Sequence, residues 1–254
     1  MNEHEKDHMF VECATFADDI KDKGLNDQSP WHFIDQPFFD EGYNTTVYPE
    51  QFNVTWSIDY MHKNLKAEKK NEDTGVTWAL GDAFNMRLLI HYVGDMHQPL
   101  HTVSRFTKDF PHGDMGGNLF MLEEKEGVNE LHALWDSTIY EYDQDLQQPL
   151  NETAWNTLGE ISEKLRTEHK VDFFDDLDAP ESEWASEGYK LAINTVYDSI
   201  EQNTLPSDEY VERAQKAVHI QLAKGGYRLA NLLIDIFNKK SEDVPISEPI
   251  DELI

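Results

Sequence analysis

The stretch His91-Tyr92-Val93-Gly94-Asp95-Met96-His97-Gln98-Pro99-Leu100-His101 decides how the rest of the chain is read. It closes a long apolar run from Val76 to Met96, in which Leu80, Phe84, Leu88 and Tyr92 recur at four-residue steps. With Leu89, Ile90 and Val93 alongside, that period predicts a helix in the middle of the protein, not on its surface. On such a helix His91 and Asp95 lie about 40° apart around the axis and point the same way. A charge facing the interior is costly unless something compensates it. Pro99 lacks an N–H and its ring clashes with the preceding turn, so the helix stops and the chain bends. The bend can return His101 towards His91 and Asp95. Two imidazoles and a carboxylate converging on one point suit a zinc ion.

Working outward, the 254 residues are enough for one substantial core. No window approaches 18 consecutive apolar residues, so no membrane-spanning helix and no stable membrane insertion are expected. The start, Met-Asn-Glu-His-Glu-Lys-Asp-His, is too charged for a secretory signal. Cys13 is the sole cysteine, which excludes an intramolecular disulfide and a thiolate metal site. Any zinc must therefore be held by His, Asp and Glu. The formal net charge is −29, which repels nucleic acid and anionic membranes at long range unless bound cations reverse the field locally. Asn-X-Ser/Thr sequons at Asn44, Asn53 and Asn151 lean the expected location towards a secreted or lumenal one.

A short helix is expected from about Phe10 to Asp22, with Asp18 and Asp19 near its end, where a nearby cation would offset the unfavourable helix dipole. Trp31-His32-Phe33-Ile34-Asp35 follows a proline and reads as extended or irregular, with His32 buried between two aromatics. Residues from Pro37 to Pro49 and from Thr102 to Pro111 read as loop. A helix is expected from about Phe52 to Lys69. Asp114-Met115-Gly116-Gly117-Asn118 is a turn with two permissive glycines, followed by a strand at Leu119–Glu124 and a hairpin turn at Glu126-Gly127. His132 and Asp136 then repeat the four-residue His/Asp spacing. Helices are expected at about Thr153–His169, Glu181–Ser199 and Ser207–Asn238, the last kinked or restarted at Gly225-Gly226, and residues 241–254 read as an acidic tail. The sum is a single mainly α-helical domain over residues 1–240 with a small β-hairpin.

Asp18, His32, His91, Asp95, His101, His132 and Asp136 exceed the needs of one zinc, so two or more metals are expected. Such a site suits phosphoester hydrolysis, because metals acidify water, hold phosphoryl oxygens and stabilise the leaving oxygen. The ordered motifs resemble a known family. His91-Tyr-Val-Gly-Asp-Met-His-Gln-Pro-Leu-His101, Trp31-His-Phe-Ile-Asp35 and Leu131-His-Ala-Leu-Trp-Asp136 are similar to those of the class I zinc nucleases. Ala14-Thr-Phe-Ala-Asp18, Gly116-Gly-Asn118 and Gly225-Gly-Tyr-Arg-Leu-Ala230 match as well. These enzymes are single-strand nucleases and 3′-nucleotidases related in fold to zinc-dependent phospholipase C.

The resemblance implies a helical bundle of that fold. It implies a first zinc on Asp18, His32, His91 and Asp95, and a second on His101, His132 and Asp136. It also implies a third zinc bridged by the carboxylate matching Asp95 and completed by an N-terminal tryptophan and a nearby histidine. With 17 residues before Asp18 and no tryptophan opening the chain, the family's first helix is expected to be missing and the third site incomplete. His97 lies on the other side of the helix from Asp95 and is expected to be structural. His4, His8, His62, His112, His169 and His219 match no ligand and read as surface or packing residues.

For the substrate pocket, the resemblance implies Phe33 as a base-stacking ring, Asp35 and Asn118 as base hydrogen-bonders, and Lys21 as a positive group near the metals. Asp95 and Lys21 are the expected catalytic residues. The implied activity is zinc-dependent hydrolysis of single-stranded DNA or RNA to 5′-phosphate ends, with 3′-nucleotidase activity on 3′-nucleotides. Two alternatives stand beside it, a zinc-dependent phospholipase C and a non-catalytic zinc-binding remnant. No protein partner can be inferred.

Overall fold

A computed structural model describes residues 4–67, 75–142, 146 and 148–242. Its helices are α1 (Met9–Glu12), α2 (Phe16–Asp22), α3 (Val54–Lys66), α4 (Gly75–Met96), α5 (Leu131–Asp136), α6 (Glu152–Glu168), α7 (Glu181–Leu191) and α8 (Asp208–Glu242). Two small sheets accompany them, a parallel pair of β1 (Gln36–Phe39) with β2 (Val103–Phe106) and an antiparallel hairpin of β3 (Met121–Lys125) with β4 (Val128–Glu130). The fold is mainly α, as the sequence predicts.

The second half of α4 is the centre of one core cluster. Leu88, Leu89, Tyr92, Val93 and Met96 pack against Ile58 and Met61 of α3, Trp184 of α7 and Ile236 of α8. Each such apolar side chain contributes about 1.5–3 kcal/mol on full burial. The first half does not fit the expectation of a central helix, since Leu80 is 67% exposed. Helix α4 there outruns the α3, α7 and α8 side chains that cover its later turns. Past Pro99 the chain crosses into a second cluster, where Leu100 and Val103 join Leu131, Leu134 and Trp135.

Several boundaries differ from those the sequence predicts. The expected helix over Phe10–Asp22 is broken by a 3₁₀ turn at Cys13–Thr15. His32 ends a 3₁₀ segment, Asn26–His32, and the chain becomes extended only at Phe33. Helix α3 starts at Val54 because the Asn53 side-chain oxygen accepts from the Thr55 and Trp56 amides, an N-cap. Its expected end at Lys69 lies outside the described residues. The segments read as loop after Pro37 and after Thr102 supply β1 and β2, paired Gln36 to Val103 through Phe39 to Phe106. Pairing of four residues between distant stretches leaves too weak an alternation to see in sequence. The helix from Glu181 passes into a π-helical turn at Ala192–Val196 instead of running as α-helix to Ser199.

Helix α8 runs without a break through Gly225 and Gly226 to Glu242, contrary to the expected kink and two residues past the expected start of the tail. A Cβ on Gly225 would stand 3.1 Å from His97 Cγ, so this glycine serves close approach between helices, not bending. The tail beyond Glu242 lies outside the described residues. The hairpin turn falls at Glu126 (φ 56°) and Gly127 (φ 82°), the left-handed pair that a tight hairpin needs. Among the described residues no helix is long and apolar enough to cross a membrane.

Candidate metal centre

Asp18, His32 and His91 come together, with one ligand atom from each within 4.8 Å of the others. Asp95 completes the group. Its Oδ2 lies 3.0 Å from His32 Nδ1 and 3.2 Å from His91 Nε2, and the two imidazole nitrogens are 3.1 Å apart. Asp18 closes the outer side, 3.7 Å from His32 Nδ1 and 3.6 Å from His91 Nε2. His101, His132 and Asp136 form a second group under the same 4.8 Å limit. There His132 Nε2 stands 3.5 Å and His101 Nε2 3.9 Å from the Asp136 carboxylate. Two ligands of one tetrahedral zinc are about 3.4 Å apart, given zinc–ligand bonds near 2.1 Å. Both groups are spaced to share an ion between their atoms.

The imidazoles are oriented for this by backbone carbonyls. His91 Nδ1 donates to Ala14 O at 2.5 Å, His101 Nδ1 to His32 O at 2.8 Å and His132 Nδ1 to Gly116 O at 2.7 Å. A ring whose Nδ1–H is so engaged turns the Nε2 lone pair towards the cluster, which is how metal-binding histidines are held. Each acceptor comes from a local irregularity. Ala14 sits in the 3₁₀ turn that splits the first helix, and Gly116 has φ +62° with Leu100 O only 2.5 Å from where a Cβ would be. The β1/β2 pair explains why the two groups are neighbours. It extends a junction in which Ile34 N donates to His101 O at 2.7 Å while His101 Nδ1 binds His32 O. His101 Nδ1 is 4.0 Å from Asp95 Oδ1, so Asp95 stands between the groups.

The electrostatics follow from this crowding. Burial alone would lower the pKa of His91, but the adjacent Asp95 and Asp18 outweigh it and push the imidazole up to about 9. Burial would raise Asp95, yet His101, His91 and His32 hold its carboxyl far below the usual range. The buried Asp95 carboxylate and the imidazoles packed against it thus offset the cost of each other's burial. His32 Nε2 is buried and has no hydrogen-bond partner. Asp18 and Asp136 are about half exposed, so the two groups open to solvent on their carboxylate side.

Of the residues expected to bind substrate, Lys21 shares α2 with Asp18, Phe33 and Asp35 follow His32, and Asn118 follows the Gly116-Gly117 turn. Lys21 Nζ lies 4.0 Å from Asp18 Oδ1, one helical turn on. Phe33 follows His32 directly, half-buried, and is fixed by the Val54 N–H bonded to its carbonyl. Asp35 is pushed up to about 6 by burial and by the charge of Asp114, which outweigh the opposing pull of His132. Asn118 Nδ2 donates to Met115 O within the glycine turn. That turn is held by buried Asp114, which accepts from Tyr197 Oη at 2.7 Å and from the Arg105 amide at 2.8 Å.

His97 takes the structural place expected of it. Its Nδ1 donates to Val93 O, Arg228 Nη1 donates to its Nε2, and burial drives its pKa down to about 3. Sequence reasoning missed Gln98. Its Oε1 accepts from Leu100 N while its Nε2 donates to Asp136 Oδ1 at 2.8 Å, orienting that carboxylate. An amide directly before the helix-ending Pro99 was the available signal.

The family model described as S1/P1 nuclease matches residues 1–238. The chain is 30% identical over 223 residues to Endonuclease 3 of Arabidopsis thaliana, covering 84% of this chain and 71% of that one. It is 29% identical over 228 residues to Endonuclease 4, also of Arabidopsis thaliana, with the same coverage of 84% and 71%. To Nuclease S1 of Aspergillus oryzae it is 24% identical over 239 residues, 87% of this chain and 77% of that one. A match that spans every element carrying the two His/Asp groups leaves one assignment: the chain belongs to the S1/P1 nuclease family.

Proposed function

We propose that the chain hydrolyses phosphodiester bonds in single-stranded DNA and RNA to leave 5′-phosphate ends, acts on 3′-nucleotides, and uses zinc. The observation that carries this reading is the set of three imidazoles, His91, His101 and His132, each tied at Nδ1 to a backbone carbonyl and offering Nε2 to an Asp-containing group. The relatives named as nucleases and endonucleases support it. Asp18, His32, His91 and Asp95 would hold one zinc, and His101, His132 and Asp136 another. Bound zinc would supply Lewis-acid stabilisation of the phosphoryl and leaving oxygens and acidify a water molecule.

The chain's own residues do the rest. Asp95, between the groups, is shared in orienting both, and Gln98 keeps Asp136 turned inward. Lys21 adds positive charge beside Asp18 for the incoming phosphate. Phe33 offers a ring on which a base can stack, worth about 1–3 kcal/mol and tolerant of base identity. Asp35 and Asn118 bind the base edge. A carboxyl that titrates near 6 offers an O–H donor in mild acid and only acceptors above it. A base must leave the duplex to reach Phe33, so paired strands are poor substrates. The net charge of −29 slows capture of a polyanion, so low salt accelerates this enzyme less than a basic nuclease.

One preparation assayed with zinc against single-stranded RNA, the matching duplex and phosphatidylcholine tests the reading. Cleavage of the single strand well ahead of the other two is expected. Lipid hydrolysis without nucleolysis, or bound zinc with no turnover on any substrate, would overturn it.

A further inference from the structure

We infer that Glu168, His169 and His219 form a further divalent-metal site, of two nitrogens and one carboxylate, that takes Zn²⁺ or a similar borderline cation. The three offer one ligand atom each within 4.8 Å of one another, as the Asp/His groups described above do. They come from different residues of the chain, being the C-terminal end of α6 and the middle of α8. Glu168 is the last residue of α6 and His169 its C-cap, an end where the helix dipole favours a cation.

The state of the two imidazoles distinguishes this cluster from an ordinary ion pair. His219 Nε2 is 2.6 Å from Glu141 Oε2, and Lys164 Nζ holds the other oxygen of Glu141 at 3.0 Å. That carboxylate–histidine contact fixes the ring and leaves Nδ1 facing Glu168 Oε2 at 3.5 Å. The separation is about that of two ligands on one tetrahedral zinc. A carboxylate behind the ligating ring is the usual support of a zinc-bound histidine. His169 Nδ1 is buried and has no hydrogen-bond partner, a cost that coordination would remove. Glu168 is 45% exposed and gives an ion its entry path.

The site has a structural consequence. In α6 the buried residues are Ala154 and Leu165, a small apolar anchor for a helix of 17 residues. An ion on Glu168, His169 and His219 would tie the end of α6 to α8 and, through Glu141, to the segment that follows α5. The role is a clamp on α6, separate from the groups that open around Asp18 and Asp136.

Zinc content by mass spectrometry, after dialysis of the full chain against a buffer of fixed free Zn²⁺, tests this directly. Wild type should carry about one equivalent more zinc than Glu168→Gln and than His169→Ala, with thermal midpoint rising on zinc addition more in wild type than in either variant. Neither substitution touches the Asp/His groups, so hydrolysis of single-stranded RNA should be unchanged. Because the comparison is between variants, it holds whether or not the chain is a nuclease. Equal zinc content in all three proteins would overturn the site and leave His219 as a hydrogen-bonded link between Glu141 and Glu168.

Discussion

His91 Nδ1 donates to Ala14 O at 2.5 Å, across a gap of 77 residues, and this one bond turns a buried helix side chain into a candidate ligand. Ala14 can accept because the chain tightens to a 3₁₀ turn there instead of continuing one helix. The equivalent carbonyls for His101 and His132 belong to His32 and Gly116, so the chemistry depends on backbone positions far from α4.

Gly116→Ala tests that dependence. The added Cβ meets Leu100 O at 2.5 Å and must adopt φ +62°, so Gly116 O moves away from His132. Loss of such an outer contact lowers metal affinity roughly 10–100-fold. Zinc titration should show the weakening with the fold intact by circular dichroism, and unchanged affinity would contradict the carbonyl's role.

Adjacent glycines on α8 should respond with opposite signs. Gly226→Ala meets nothing within 4 Å and should stabilise the protein by up to about 1 kcal/mol through helix propensity. Gly225→Ala presses on His97 at 3.1 Å, a ring bonded at both nitrogens, and should cost about 1–3 kcal/mol. Urea unfolding of the two variants decides it, and the same sign for both would show that His97 yields.

Asn53→Ala removes the cap of α3, whose Ile58 and Met61 cover α4. The expected cost is about 1 kcal/mol in chemical denaturation. A shift near zero would mean that Thr55 and Trp56 find other acceptors.

Acid sensitivity should centre partly on Glu12. Burial would raise its carboxyl pKa, but the amides of Lys6, Leu150 and His8 bond the ionised form and hold it below the ordinary value. A folded pKa below the unfolded one gives stability that is present above the unfolded value and lost as pH falls through the folded one. Wild type should therefore exceed Glu12→Gln in urea midpoint at pH 7, with the gap closing below about pH 4. A gap that persists in acid would assign the effect to shape and not charge.

Much of this was legible in the sequence, and for definable reasons. The four-residue His/Asp spacings of His91 with Asp95 and His132 with Asp136 survive folding because a helix conserves them, and Pro99 had to end α4. The hairpin followed from Glu126-Gly127. What escaped depended on contacts between distant segments. The β1/β2 pair that sets His32 beside His101 is four residues long, and Gln98 looked like a neutral neighbour of a proline. Gly225 read as a helix breaker because its partner, His97, is 128 positions away in sequence and only packing brings the two together. Leu80 and Phe84 carry the period of a buried face, yet periodicity does not say how far the covering helices extend.

Under the proposed function Asp95 helps hold zinc at a site that cleaves single strands. Zinc content and single-stranded RNA hydrolysis, measured together on wild type and Asp95→Asn, test it most directly. The variant, folded by circular dichroism, should lose zinc and at least about 10³-fold in kcat/KM, the scale expected when metal catalysis is removed. A fully metallated, fully active Asp95→Asn protein would contradict it.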